Sequence, residues 1–95
     1  MSIDPFSLTG FQRDMLYVIL GSDRPSGQDI KGELEEYVGE MSHARLYPNL
    51  DTLVERGLVE KGQMDRRANY YEITPEGEEL IERRQEWETE YIRSG

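Results

Sequence analysis

The run from Ser42 to Arg56, SHARLYPNLDTLVER, leaves the chain few folds to choose from. Leu46, Leu50, Leu53 and Val54 recur at i, i+4, i+7 and i+8, so the segment predicts a helix with one apolar face. Ser42 is a good N-cap and Gly57 a good residue just past the C-terminus. Away from the leucines lie His43, Arg45, Tyr47 and Asn49, all near the N-terminus and all able to hydrogen-bond. Pro48 breaks the pattern: it removes a backbone donor and crowds the carbonyl of Ala44. A distorted or 3₁₀-like first turn over 42–47 is therefore expected.

Two further helices precede this one. Thr9 can cap a helix over 10–20 whose apolar stripe is Phe11, Met15, Val18 and Ile19, widened by Leu16; Leu8, Phe11 and Leu16 are expected in the core. The GSDRP cluster at 21–25 reads as a turn. Ser26 then caps a helix to about Val38, with Ile30, Leu34, Tyr37 and Val38 as its apolar face. Its other face, Asp29, Glu33, Glu35, Glu36 and Glu40, reads as a solvated surface. The free amides at its start, over 26–28, could hold a phosphate. Two helices joined by a short Gly-containing turn fit helix-turn-helix, in which the N-terminal residues of the second helix meet base edges.

After Gly57 the period changes. Leu58–Lys61 reads as a strand, Gly62–Ala68 as a polar turn region, and Asn69–Thr74 as a return strand with Tyr71 and Ile73 facing inward. The two strands form a hairpin, with Arg66 and Arg67 at or near its tip. Thr74-Pro75-Glu76 is a helix start, and the last helix should run to about Ile92. Its stripe is Leu80, Arg84, Trp87 and Tyr91, with Ile81 beside it. A terminal helix with an aromatic stripe finds little left of its own domain to cover, so it reads as a dimer element.

LYPNLDTLVERGLVE followed by RRANYYEITPEG resembles the PadR family of winged-helix transcriptional regulators. Leu46, Tyr47, Pro48, Leu50, Leu53, Gly57, Leu58, Tyr70, Tyr71, Thr74, Pro75 and Gly77 carry the likeness, which extends over about 8–91. It implies a mainly α fold with a small hairpin: a winged helix-turn-helix DNA-binding domain over 1–74 (helices about 9–20, 26–38 and 42–56, wing 58–74) and a C-terminal dimerisation helix over 75–95. It implies a homodimeric, sequence-specific regulator, a repressor by kind, on a pseudo-palindromic double-stranded operator. The residues that would touch DNA are Ser42, His43, Arg45, Tyr47, Asn49, Lys61, Arg66 and Arg67, with the 61–69 wing on flanking DNA. Arg45 is the candidate for a guanine and Asn49 for an adenine. Leu80, Ile81, Arg84, Trp87 and Tyr91 would form the dimer interface, and some members stack a small aromatic ligand on an aromatic like Trp87.

Charge opposes this reading at first sight. The formal net charge is −9, and an acidic protein is repelled by DNA. Yet Ser42–Ile73 holds five basic and five acidic residues, so the rest of the chain carries the whole excess. Only Lys31 and Lys61 are lysines, and many carboxylates with little Lys suit a salt-rich, halophilic cytoplasm, where the Debye length is about 3 Å at 1 M. The alternative is a winged-helix interaction module that meets a basic protein without reading DNA. Cysteine is absent and His43 is the one histidine, which removes thiol chemistry and leaves little for a metal or general base; no enzyme, cofactor or metal site is expected. No membrane span or secretory leader is read, so the expected location is cytoplasmic.

Overall fold

In the computed structural model, residues 6–63, 65 and 68–92 are described. Four helices and a hairpin follow in order: α1 Gly10–Leu20, α2 Gly27–Val38, α3 His43–Glu55, β1 Val59–Gln63, β2 Asn69–Ile73 and α4 Pro75–Tyr91. The expected mainly α winged helix with a small hairpin is what forms.

Each helix begins on a hydroxyl. Thr9, Ser26, Ser42 and Thr74 accept from the amide three residues on, at 3.1, 3.0, 3.2 and 3.1 Å. Gln12 and Asp29 return the bond to the cap's own amide, completing capping boxes on α1 and α2. At the end of α3, Gly57 takes φ +75, Leu58 N–H donates to the Leu53 carbonyl and Gly57 N–H to that of Val54. This is the Schellman arrangement, and it turns the chain directly into β1.

The distortion expected over 42–47 does not occur. α3 is α-helical from His43 onward with Pro48 inside it. The only 3₁₀ trace is at the cap, where the Ser42 carbonyl accepts from both Arg45 and Leu46 amides at 3.1 Å. Pro48 sits in the second turn and its fixed φ is already helical, so its cost is one missing donor toward Ala44, a carbonyl on the solvent side.

β1 and β2 pair antiparallel from Val59 with Ile73 to Gln63 with Asn69, so β1 runs two residues beyond the expected 61. The Tyr70 ring lies against Gly62, filling the space a side chain there would need. The 21–25 turn does more than reverse the chain. Tyr71 N–H donates to the Pro25 carbonyl at 2.9 Å and Ser26 forms an isolated antiparallel bridge with Tyr70, which ties the turn to the outer edge of the two-stranded wing. Arg24, at φ +48, turns back over the Tyr70 ring at 5.1 Å and pairs with Glu72 at 3.4 Å.

The core is Leu8, Met15, Leu16 and Ile19 from the first helix region, Ile30 and Leu34 from α2, and Leu46, Leu50 and Leu53 from α3, closed by Leu58, Val59, Tyr71, Leu80 and Ile81. Phe11, Val18 and Ile73 pack on its edge, half-buried. The α2 stripe ends sooner than expected. Tyr37 is 82 % and Val38 50 % exposed, because the chain leaves α2 at Gly39 and Met41, from the turn, fills the core there.

The division at residue 74 does not follow the packing. Leu80 and Ile81 are 2 % exposed within this core, and Gly77 lies so close to β1 that a Cβ would meet the Leu58 carbonyl. Leu80 and Ile81, expected at a dimer interface, are instead buried by the winged-helix body of the same chain. The exposed apolar residues of α4 and its C-cap, Trp87, Tyr91 and Ile92, all lie beyond Arg84.

Candidate nucleic-acid interface

α3 turns Leu46, Leu50 and Leu53 into the core and leaves Ala44, Pro48, Asp51 and Glu55 exposed on the opposite side. That outward stripe repeats at i, i+4, i+7 and i+11, the complement of the leucine pattern, and the sequence reading passed over it in favour of polar residues alone. Thr52 lies beside it, its hydroxyl donating to the Pro48 carbonyl at 3.0 Å.

The expected contact residues do not form one set. Ser42 is exposed, but its hydroxyl oxygen caps α3. His43 is exposed at the first position of α3, edge-on to Tyr47 with ring centroids 5.5 Å apart. Arg45 is exposed with its guanidinium laid over the Phe11 ring, 4.2 Å from the centroid. Tyr47 is half-buried and turned toward the start of α2, where a Cβ on Gly27 would lie 2.6 Å from its hydroxyl.

Asn49 has both ends of its amide engaged within the chain. Its Nδ2 donates to the Arg45 carbonyl at 2.7 Å and its Oδ1 accepts from Gln12 Nε2 at 3.0 Å. Gln12 is in turn held by the Thr9 amide at 3.2 Å, so the cap of α1 is linked to the second turn of α3. On the helical wheel Asn49 stands at the edge of the leucine face, where α1 lies. Phe11 and Gln12, which the sequence reading left as core stripe and filler, are the residues that set the α1 side of this surface.

The α2–α3 turn is held by Glu35. Its carboxylate accepts from Met41 N–H at 2.9 Å and pairs with Lys31 at 3.3 Å. The Met41 amide bond, aided by Lys31, holds its carboxyl below the usual carboxylate range. On the wing, Lys61 is exposed on β1, and Asp65 accepts from the Ala68 amide at 3.0 Å. Arg66 and Arg67 lie outside the described residues.

At the far end of α4, Trp87 meets Phe6 edge-on at 4.9 Å and Tyr91 at 5.1 Å. Arg84 stacks 4.6 Å from the Trp87 ring and pairs with Glu88 at 3.2 Å. Trp87, Tyr91 and Ile92 remain 38 %, 72 % and 74 % exposed, a large apolar surface for so acidic a chain. Phe6, read as loose lead-in, belongs to this cluster; an isolated aromatic before a helix gives no period by which to place it. Among the described residues no helix is long and apolar enough to cross a membrane.

A complex structure of RosR, designated RosR-S1, superposes with a TM-score of 0.90 at 45% identity, covering 98% of this chain and 83% of that one. RosR of H. salinarum, from crystals grown in NaBr, gives a TM-score of 0.90 at 45% identity over 97% of this chain and 84% of that one. A crystal structure of MarR shares the fold alone, with a TM-score of 0.72 at 24% identity over 90% of this chain and 64% of that one. No curated protein matches. The model of the transcriptional regulator PadR-like family matches residues 15–83, from α1 through the wing into α4. With winged helix, hairpin and last helix all in that order, the chain belongs to the PadR-like family of transcriptional regulators.

Proposed function

We propose that the protein is a sequence-specific DNA-binding regulator, a repressor acting as a homodimer in the cytoplasm, with α3 in the major groove and the wing over 61–69 on flanking DNA. One observation carries this reading. The segment Ser42–Ile73, which holds α3 and the wing, has five basic and five acidic residues and is the charge-balanced part of a chain that is otherwise acidic. On this reading Arg45 leaves Phe11 to reach a base, His43 and Ser42 meet the backbone at the helix start, and Lys61, with Arg66 and Arg67, neutralises flanking phosphates. Residues 1–74 bind DNA and the exposed end of α4, with Arg84, Trp87 and Tyr91, joins a second copy. A small aromatic ligand near Trp87 would have to displace Phe6, Arg84 or Tyr91, which already cover much of the ring. RosR, also described as a complex, supports a regulator with a partner on this fold.

The test is selection from a random-sequence duplex pool, followed by fluorescence anisotropy of the enriched duplex across KCl concentration. A pseudo-palindromic motif should emerge, and affinity should fall with salt. Arg45→Ala should lose about 1–3 kcal/mol at one operator position. Equal loss on every sequence would remove Arg45 as a reader.

The second reading is a protein-interaction module. Tyr37 and Val38, exposed beside Glu33, Glu36 and Glu40, favour a basic protein partner. A pool that shows no enrichment at any salt supports this reading over the first.

A further inference from the structure

Between the start of α2, α3 and the wing lies a cavity of about 190 Å³, lined by Ser26, Gly27, Gln28, Tyr47, Asn69 and Tyr71, with Ala68 at its rim. In a chain with 20 carboxylates, none lines it. Asp29, in the first turn of α2, is turned back onto the Ser26 amide at 3.0 Å and faces a different groove, and Asp51 of α3 acts on Tyr71 without lining the cavity. What lines the cavity is donors. The Gly27 and Gln28 amides belong to the first turn of a 12-residue helix, where no carbonyl precedes them to accept, and they sit at its positive end.

The two tyrosines supply an independent observation. Tyr71 is 1 % exposed, yet its hydroxyl has no hydrogen-bond partner among the described residues. No fully buried side-chain oxygen among those residues lacks a partner, so the little of Tyr71 that solvent reaches is this hydroxyl, opening on the cavity. Leaving such a group unpaired costs stability, and folded proteins rarely tolerate it without a reason. Tyr47 ends in the same place: its hydroxyl rests where a Cβ on Gly27 would be, and it too makes no hydrogen bond among the described residues. Burial, with Asp51 and Tyr47 nearby, pushes the Tyr71 phenol up from its ordinary value, so it keeps its proton and remains a donor.

We propose that this cavity is a phosphate seat: the hydroxyls of Tyr47 and Tyr71 and the free amides of Gly27 and Gln28 hold one backbone phosphate of the bound duplex, using neutral donors only. The inference rests on the DNA-binding reading and adds a site to it. Its consequence is specific. A Lys or Arg on a phosphate releases a counterion and steepens the fall of affinity with salt. A neutral donor contributes affinity without changing that slope. An acidic regulator working in concentrated salt gains from contacts of this kind, because added salt does not erode them.

Tyr47→Phe, Tyr71→Phe and the double variant test it on the enriched duplex, each remaining isosteric with the wild type. The double variant should lose about tenfold or more in affinity at every KCl concentration, with the slope of log affinity against log salt unchanged. Tyr71→Phe should melt at the same temperature as the wild type or higher, because the deleted hydroxyl has no partner in the free protein; a structural hydroxyl would lower it. A scan of the duplex with single neutral methylphosphonates should find one position at which the wild type weakens and the double variant does not. Lys61→Ala is the control, expected to flatten the salt slope. Wild-type affinity in the double variant, or a slope changed as in Lys61→Ala, would overturn the seat while leaving DNA binding intact. A wild type that binds no duplex would overturn both.

Discussion

Both polar atoms of the Asn49 amide are engaged inside the protein, one on Gln12 and one on the carbonyl of Arg45. A half-buried side chain so held is a joint between α1 and α3. Asn49→Ala removes two hydrogen bonds and leaves the Gln12 amide facing an apolar methyl, at a cost of about 1–3 kcal/mol. Denaturant unfolding should show that loss, while selection with the variant returns the same operator bases. Unchanged stability with an altered preference at one base would instead make Asn49 a reader. The spacing from Leu46 and Leu50 places Asn49 on the border of the helix face but cannot say which element lies across that border. Arg45 illustrates the same limit, since its cation–π contact with Phe11 joins residues 34 positions apart. Local signals fared differently: Thr9, Ser26, Ser42 and Thr74 act within three residues of themselves, and all four caps stand where the sequence puts them.

At the scale of elements, two joints decide whether α3 and α4 stand correctly. In the α2–α3 turn, Glu35 is held ionised chiefly by the Met41 amide. Its pKa is depressed on folding, so the stabilisation is present at neutral pH, above the unfolded value, and is lost as pH falls through the folded value. Glu35→Gln should therefore be less stable than wild type at pH 7, with the difference closing as pH falls below the ordinary Glu range and through the lowered folded value, where the wild-type carboxylate protonates. Parallel denaturation midpoints across pH check this, and a gap that stays constant would remove the charge from the explanation. At the second joint, Gly77 in α4 approaches β1 so closely that a Cβ would meet the Leu58 carbonyl and lie 2.7 Å from Ile73 Cγ1. Glycine to alanine within a helix ordinarily stabilises by about 1 kcal/mol. Here Gly77→Ala should destabilise by about 1–3 kcal/mol instead, because the clash is with backbone that cannot swing away. A raised melting temperature would show that α4 can slide off β1 at little cost. Period and caps placed these elements nearly to the residue, whereas the bridge at Pro25–Ser26 had no signal in sequence, being made with Tyr71 and Tyr70, far along the chain. The extent of α4's internal packing was hidden for the same reason: a stripe shows that a face is covered, not by what.

For the whole molecule the governing quantity is charge against apolar surface. α4 carries seven glutamates and two arginines, and Arg84 already pairs with Glu88. The aromatic patch that would join two copies, Phe6, Trp87 and Tyr91, lies on this same helix and just before α1. Pairing through it brings two strongly acidic helices together. At 0.1 M salt, with a Debye length of about 10 Å, their carboxylates repel across the seam; at 1 M, with about 3 Å, they hardly sense one another. Burial of the rings changes little over that range, so the balance tips toward association as salt rises. Analytical ultracentrifugation should find the dimer fraction growing from 0.1 to 2 M KCl, the reverse of an interface held by ion pairs. Trp87→Ala should keep the chain monomeric throughout while leaving the melting temperature of the winged-helix body nearly unchanged, because Leu80 and Ile81 hold the first half of α4 independently of it. A dimer that persists in Trp87→Ala, or one that dissociates as KCl rises, would place the interface on another face. DNA affinity then becomes a contest between two salt effects of opposite sign. On the proposed reading, phosphate contacts by Lys61 would weaken with salt while a dimer joined through Trp87 would strengthen, so affinity should fall with KCl less steeply than the phosphate contacts alone would make it.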